Sequence, residues 1–157
     1  MIRLLLFLIA AAALAGCSSF WNKSGPIRSV HVFGAPVALN FDQHPALDGF
    51  AITIYAGDGQ SAKGVPINEG SLAIVMYDGL LKAPPATNPP PHQTWTYSPK
   101  DLKQSQVRTS LGIGYRFAPR WGANPPTRAS ITVLATYQGP EGKSIQSPPT
   151  SISVAAK

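Results

Sequence analysis

The chain has one cysteine, Cys17, among its 157 residues. No disulfide can form within it, so its fold must rely on packing alone. Charge is also scarce. Asp, Glu, Lys and Arg make up 13% of the residues, too few for a disordered polyelectrolyte. Long hydrophobic runs are missing as well: Leu4 to Leu14 gives eleven apolar residues, short of the roughly 18–20 that span a bilayer as a helix. No stretch reads as a long amphipathic helix, and no internal repeat is visible.

What is present begins at the N-terminus. Arg3 is a short positive region, Leu4–Leu14 an apolar one, and Ala15-Gly16 supplies the small residues of a peptidase site. The sequence predicts a signal-peptide helix over residues 1–16, with cleavage between Gly16 and Cys17. Leu14-Ala15-Gly16-Cys17 resembles the bacterial lipobox, in which the thiol is alkylated with diacylglycerol and the freed amine is often acylated as well. The resemblance implies lipidation at Cys17. Each acyl CH₂ adds about 0.8 kcal/mol of membrane affinity, so two or three chains anchor a protein stably. In Gram-negative sorting an Asp after the cysteine tends to retain a lipoprotein in the inner membrane; Ser18 there implies the outer membrane. The expected organisation is a signal peptide (1–16), a lipidated tether (17–26) and one domain (27–157).

Sixteen prolines and fourteen glycines punctuate runs rich in Val, Ile, Thr and Tyr, the signature of short strands and turns. Strands are predicted at 27–33, 36–41, 50–56, 71–79, 94–98, 110–118, 128–138, 144–147 and 150–155. In 50–56, Phe50, Ile52 and Ile54 share one face and Ala51, Thr53 and Tyr55 the other. The 71–79 run repeats that pattern, and both are apolar enough on two sides to be central strands. Gly112 and Gly114 point to a bulge or a close backbone approach. Prolines exclude 82–93 from any strand interior. Ser98, Pro99 and Asp101 predict a short helical turn near 98–104. These elements predict an all-β chain, an immunoglobulin-like or fibronectin-like β-sandwich of seven to nine strands, with a transthyretin-like sandwich as the alternative.

Chemistry is harder to find. His31, His44 and His92 are far apart, and Asp42, His44 and Asp48 form a polar loop short of a metal-site spacing, so no metal and no cofactor is expected. Gly142-Lys143-Ser144 lacks the first glycine of a phosphate loop, and residues 59–64 miss the last glycine of a nucleophile elbow. An enzyme would have to assemble scattered residues such as Asp42, His44, Asp48 and His92. Lys and Arg outnumber Asp and Glu by 13 to 7. Lys100, Lys103, Arg108, Arg116, Arg120 and Arg128 lie close in sequence with only Asp101 opposing them. Of these, Lys100, Lys103, Arg116, Arg120 and Arg128 are candidates for binding an anionic envelope polysaccharide or lipid headgroups. The export signal argues against nucleic acid. Trp95 and Tyr97 are expected in the core, whereas Trp121, in a Pro/Gly-rich loop, is expected to be exposed.

The segments "WTYSPKDL", "SLGIGYRFAPRWG" and "ASITVLATYQGPEGKSIQSPP", spanning residues 93–154, together with the lipobox, resemble bacterial lipoproteins of β-sandwich type. The resemblance implies the architecture and export but carries no activity and no functional residue beyond Cys17. The reading is a membrane-anchored lipoprotein of the cell envelope, a non-catalytic binding or structural module whose partners are the membrane, through the acyl chains on Cys17, and other envelope proteins or anionic polymers.

Overall fold

The computed structural model describes residues 25–42, 46–81 and 89–154. The predicted signal peptide, most of the tether and His44 lie outside them. Alternation with a period of two sets the architecture. In β2 (Ile52–Gly57) and β3 (Ser71–Asp78), every second side chain is buried: Ile52 and Ile54 in one, Leu72, Ile74 and Met76 in the other. The rows of apolar residues in two such sheets face each other and exclude water between them.

The first sheet, A, has the order β1-β2-β6-β5, with β1 Ser29–Gly34, β5 Gln106–Thr109 and β6 Gly112–Phe117. The second, B, runs β4-β3-β7-β8, with β4 Gln93–Tyr97, β7 Ser130–Gln138 and β8 Ser144–Gln146. A ninth strand, β9 (Thr150–Ser153), also pairs with β7. All strand pairings are antiparallel. The chain is therefore an all-β sandwich of nine strands among the described residues, with β2 and β3 central as expected.

Two of the connections between the sheets are held by specific contacts. The helix α1 (Pro99–Ser105) follows β4 of sheet B and leads into β5 of sheet A. Its start is chemically defined: Ser98 Oγ accepts from Asp101 N, Asp101 Oδ2 accepts from Ser98 N at 2.9 Å, and Pro99 opens the helix. That reciprocal cap satisfies two groups that helix geometry leaves without partners. Leu102 on its inner side is fully buried and closes that flank of the core. The loop between β2 and β3 is pinned from inside, where the Tyr115 hydroxyl accepts from Ile67 N at 2.6 Å. Burial raises the Tyr115 phenol, which that backbone bond partly offsets.

The edge at β8–β9 carries a bulge. Thr136 pairs with Gln146 and Val133 with Thr150, so two residues of β7 oppose three of the edge. Pro148 and Pro149 lack ladder donors. Ser147 substitutes for them, its N–H donating to Ala135 O at 2.8 Å and its Oγ accepting from Ala135 N at 3.0 Å.

The structure corrects three expectations. Residues 36–41 form no strand but isolated bridges, Val37 to Ser153 and Leu39 to Gly49, because this segment crosses the open end between the sheets. β5 is an additional short strand with one half-buried apolar residue, Val107, too little alternation to be read locally. Trp121 is only 3% exposed rather than open to solvent. Its indole packs near Phe50, with ring centroids 6.5 Å apart, and its Nε1–H donates to Leu47 O. Trp95 and Tyr97 pack against the core as expected, on Phe50 and Phe117.

Candidate functional site

The outer face of sheet A is built from residues that alternate with the core set. Ser29, His31 and Phe33 of β1 stand opposite Gly57, Tyr55 and Thr53 of β2. Thr53 and Tyr55 in turn oppose Arg116 and Gly114 of β6. Glycine on this face gives the surface its relief. A Cβ at Gly114 would lie 2.8 Å from Tyr55 Cε1, and one at Gly64 would lie 2.9 Å from Tyr55 Cδ1. The Tyr55 ring therefore packs its Cδ1–Cε1 edge against two glycines, where a side chain at either would clash. Its hydroxyl lies 3.0 Å from Thr109 Oγ1. Phe33 meets this fixed ring edge-to-face, with centroids 5.5 Å apart at 85°.

The loop after β2 supplies the opposite wall. Asp58 Oδ1 accepts from Gln60 N and Ser61 N, both at 2.9 Å, folding the chain into a turn. Those backbone donors, Ser61 first and then Gln60, hold the Asp58 carboxyl below the usual carboxylate range. The loop then returns beside β6, with Gly64 N donating to Leu111 O at 2.7 Å and Ile113 N to Gly64 O at 2.9 Å. Between β1 and this loop lies an open groove of about 290 Å³, lined by Ser29, His31, Phe33, Tyr55, Lys63 and Leu111 among others. The β5–β6 turn presents Leu111, and Gly112 with φ +99° lets the chain reverse there.

The residues picked out from sequence fall elsewhere. Cys17, Gly16 and Ser18 lie outside the described residues. Lys100 and Lys103 are exposed on α1, and Arg116 is exposed on the outer face of sheet A, in one row with Thr53 and Phe33. Arg120 is committed to local structure: it pairs with Asp48 at 3.4 Å, donates to Phe41 O and lies over the Phe41 ring. Arg128 lies in the β6–β7 loop, two residues before β7, where its N–H donates to Asp78 Oδ1 at 3.0 Å. The five cations thus fall on α1, on β6 and in the β6–β7 loop.

Asp48 accepts from Phe41 N at 2.8 Å, whereas His92 Nε2 lies 3.0 Å from Asn124 O. Asp42 N donates to Asn40 Oδ1. Among the described residues, no three His, Cys, Asp or Glu side chains come together as a metal-sized group. Likewise, no helix among them is long and apolar enough to cross a membrane.

The groove residues His31, Phe33, Lys63 and Leu111 were not singled out by sequence reasoning. Tyr55 appeared there only as part of a strand face. The signal available was the glycine pair at 112 and 114, which implies close approaches without naming the Gly64 backbone that meets the first or the Tyr55 ring that meets the second. Comparison with protein-family models, curated proteins and solved structures finds no match to this chain.

Proposed function

We propose that this is a lipid-anchored protein of the bacterial cell envelope whose sandwich serves as a non-catalytic binding module. The observation that carries the reading is Leu14-Ala15-Gly16-Cys17, placed behind a short apolar run and only ten residues before the buried Ile27 that opens the fold. A tether this short spans at most about 3.3–3.6 Å per residue, so the acylated cysteine holds the domain close to the bilayer. Ser18 favours the outer membrane. The fixed groove on sheet A supports the binding half of the reading, because it exposes apolar and cationic side chains on a rigid floor.

The immunoglobulin-like assignment is supported by strand order. Lettered in chain order, with β4 as C′ and β8–β9 as a broken G, the sheets read A-B-E-D and C′-C-F-G. That is the arrangement of immunoglobulin sandwiches. The cysteine pair and strand-C tryptophan of antibody domains are absent, Trp95 standing on β4 and Trp121 in the β6–β7 loop.

Metabolic labelling of expressing cells with an alkyne-tagged fatty acid tests the anchor. The wild-type chain is expected to take up label and partition with membranes, and the Cys17→Ala variant to lose both. Label retained on Cys17→Ala refutes it.

A further inference from the structure

Two of the four exposed large hydrophobic residues described, Phe33 at 56% and Leu111 at 52%, line the same groove. Scattered apolar residues on a surface are ordinary. Here they flank Tyr55, whose ring two glycines and Thr109 hold in place. A face fixed before the ligand arrives loses little entropy on binding.

The one formally charged side chain lining the groove is a cation, Lys63. His31 and Lys63 line it, and Arg116 stands exposed on the same sheet face, one row along. Among the described residues, none of these three makes an ion pair. Asp58, at the start of the loop, does not line the groove, and its Oδ1 is taken by its own turn. The hydroxyls of Ser29 and Ser61 complete the lining. Exposed cations without partners attract an anion and discriminate against cations and acidic surfaces. The groove is open rather than enclosed, and its volume sits at the small end of ligand sites. An acyl chain would leave most of its length in water there. A sugar fits the chemistry better: its C–H face packs on an aromatic ring and its hydroxyls meet Ser and His.

We infer that the groove between β1 and the 58–64 loop binds an acidic saccharide, with Phe33 and Tyr55 as the stacking surface and Lys63 and His31 facing the carboxylate. This deepens the binding-module reading and rests on it, but not on the lipid anchor. It also moves the cationic site predicted from sequence: of that set, only Arg116 belongs to this face.

The test is titration of the full chain, purified in mild detergent and ¹⁵N-labelled, with trigalacturonate and with neutral maltotriose as the uncharged control. Trigalacturonate is expected to shift the amide signals of Ser29–Phe33 and Ser61–Gly64 and to bind at least about 10-fold more tightly than maltotriose. Binding should weaken as salt rises. Phe33→Ala and Lys63→Glu should each weaken it about 10-fold or more while leaving the unfolding midpoint nearly unchanged, both side chains being exposed. Absent binding, equal affinity for the two sugars, or unchanged affinity in Lys63→Glu overturns the proposal. Since fatty-acid labelling reads Cys17 alone, a failed titration with label intact removes the saccharide and keeps the anchor. The converse result does the opposite.

Discussion

The two sheets bury equivalent inner faces but differ on their outer ones. In sheet B, none of the five strands contains a glycine, and β3 and β7 pair over eight consecutive positions. Even outward-facing residues there are buried, Leu134 at 0% and Tyr77 at 5%. In sheet A, three of four strands carry glycine, and the outer face is open over Phe33. Missing side chains let Tyr55 lie down on the sheet and leave a groove beside it. Continuous side-chain cover gives sheet B cohesion, and its interruption gives sheet A a surface with shape. The most continuously covered face and the groove proposed as a binding site thereby lie on different sheets of one small sandwich.

That division can be broken most forcefully in sheet B. Ile74 lies in the central strand at 0% exposure. Ile74→Ala should cost about 2–5 kcal/mol through lost transfer energy and the cavity left behind. The urea midpoint measures it. Groove ligand binding, read well below the unfolding transition, should stay as in the wild type.

A smaller effect is expected on sheet A. Gly114→Ala places a methyl 2.8 Å from Tyr55 Cε1, and such overpacking costs about 1–3 kcal/mol. The cause is checked by a double-mutant cycle. In a Tyr55→Ala background the same substitution should cost clearly less, because the clashing ring is gone. Additive costs would mean that the Tyr55 ring does not make this contact.

The smallest effect is acid sensitivity, where each region supplies one anchored carboxylate. Asp58, in the loop of the groove, is lowered by the Ser61 and Gln60 amides. For Asp78, at the end of β3, partial burial works to raise the carboxyl, but it is outweighed by the Thr127 hydroxyl and the Thr127 and Arg128 amides, leaving it lowered. A folded-state pKa below the unfolded one stabilises above the unfolded value, and that gain is lost as pH falls through the folded one. The unfolding midpoint should therefore be flat from neutral pH to about 5 and decline below about 4, the unfolded carboxylate range. Asp58→Asn and Asp78→Asn should each flatten part of that decline. An acid limb unchanged in both variants contradicts the assignment.

Much of the framework was legible because it depends on near neighbours. Alternation placed β2, β3 and β7, and Ser98, Pro99 and Asp101 announced α1 through contacts within three residues. Gly112 is closely approached by the Gly64 backbone, in keeping with its reading as a site of close approach, yet the Tyr55 ring that meets Gly114, about sixty positions away in the chain, could not be named from it. Trp121 was misread for the same reason. Its loop is rich in proline and glycine, but its burial comes from Leu47 and Phe50 of the segment leading into β2, to which its backbone is also bonded through Asp48 O. The basic residues between 100 and 128 looked continuous only along the chain. Folding sends Arg116 outward on sheet A, Lys100 and Lys103 onto α1, Arg128 beside Asp78 at the end of β3, and Arg120 onto Asp48 and Phe41.

By itself, the sequence determined the all-β character, the two-residue face pattern of the central strands and the capped helix, because each follows from backbone preference and spacing within a few residues. Only the tertiary structure decided strand order, the burial of Trp121 and the groove. The groove needs residues near 31, 55, 63 and 111 to meet, and that meeting is set by the burial of the opposite faces of the same strands.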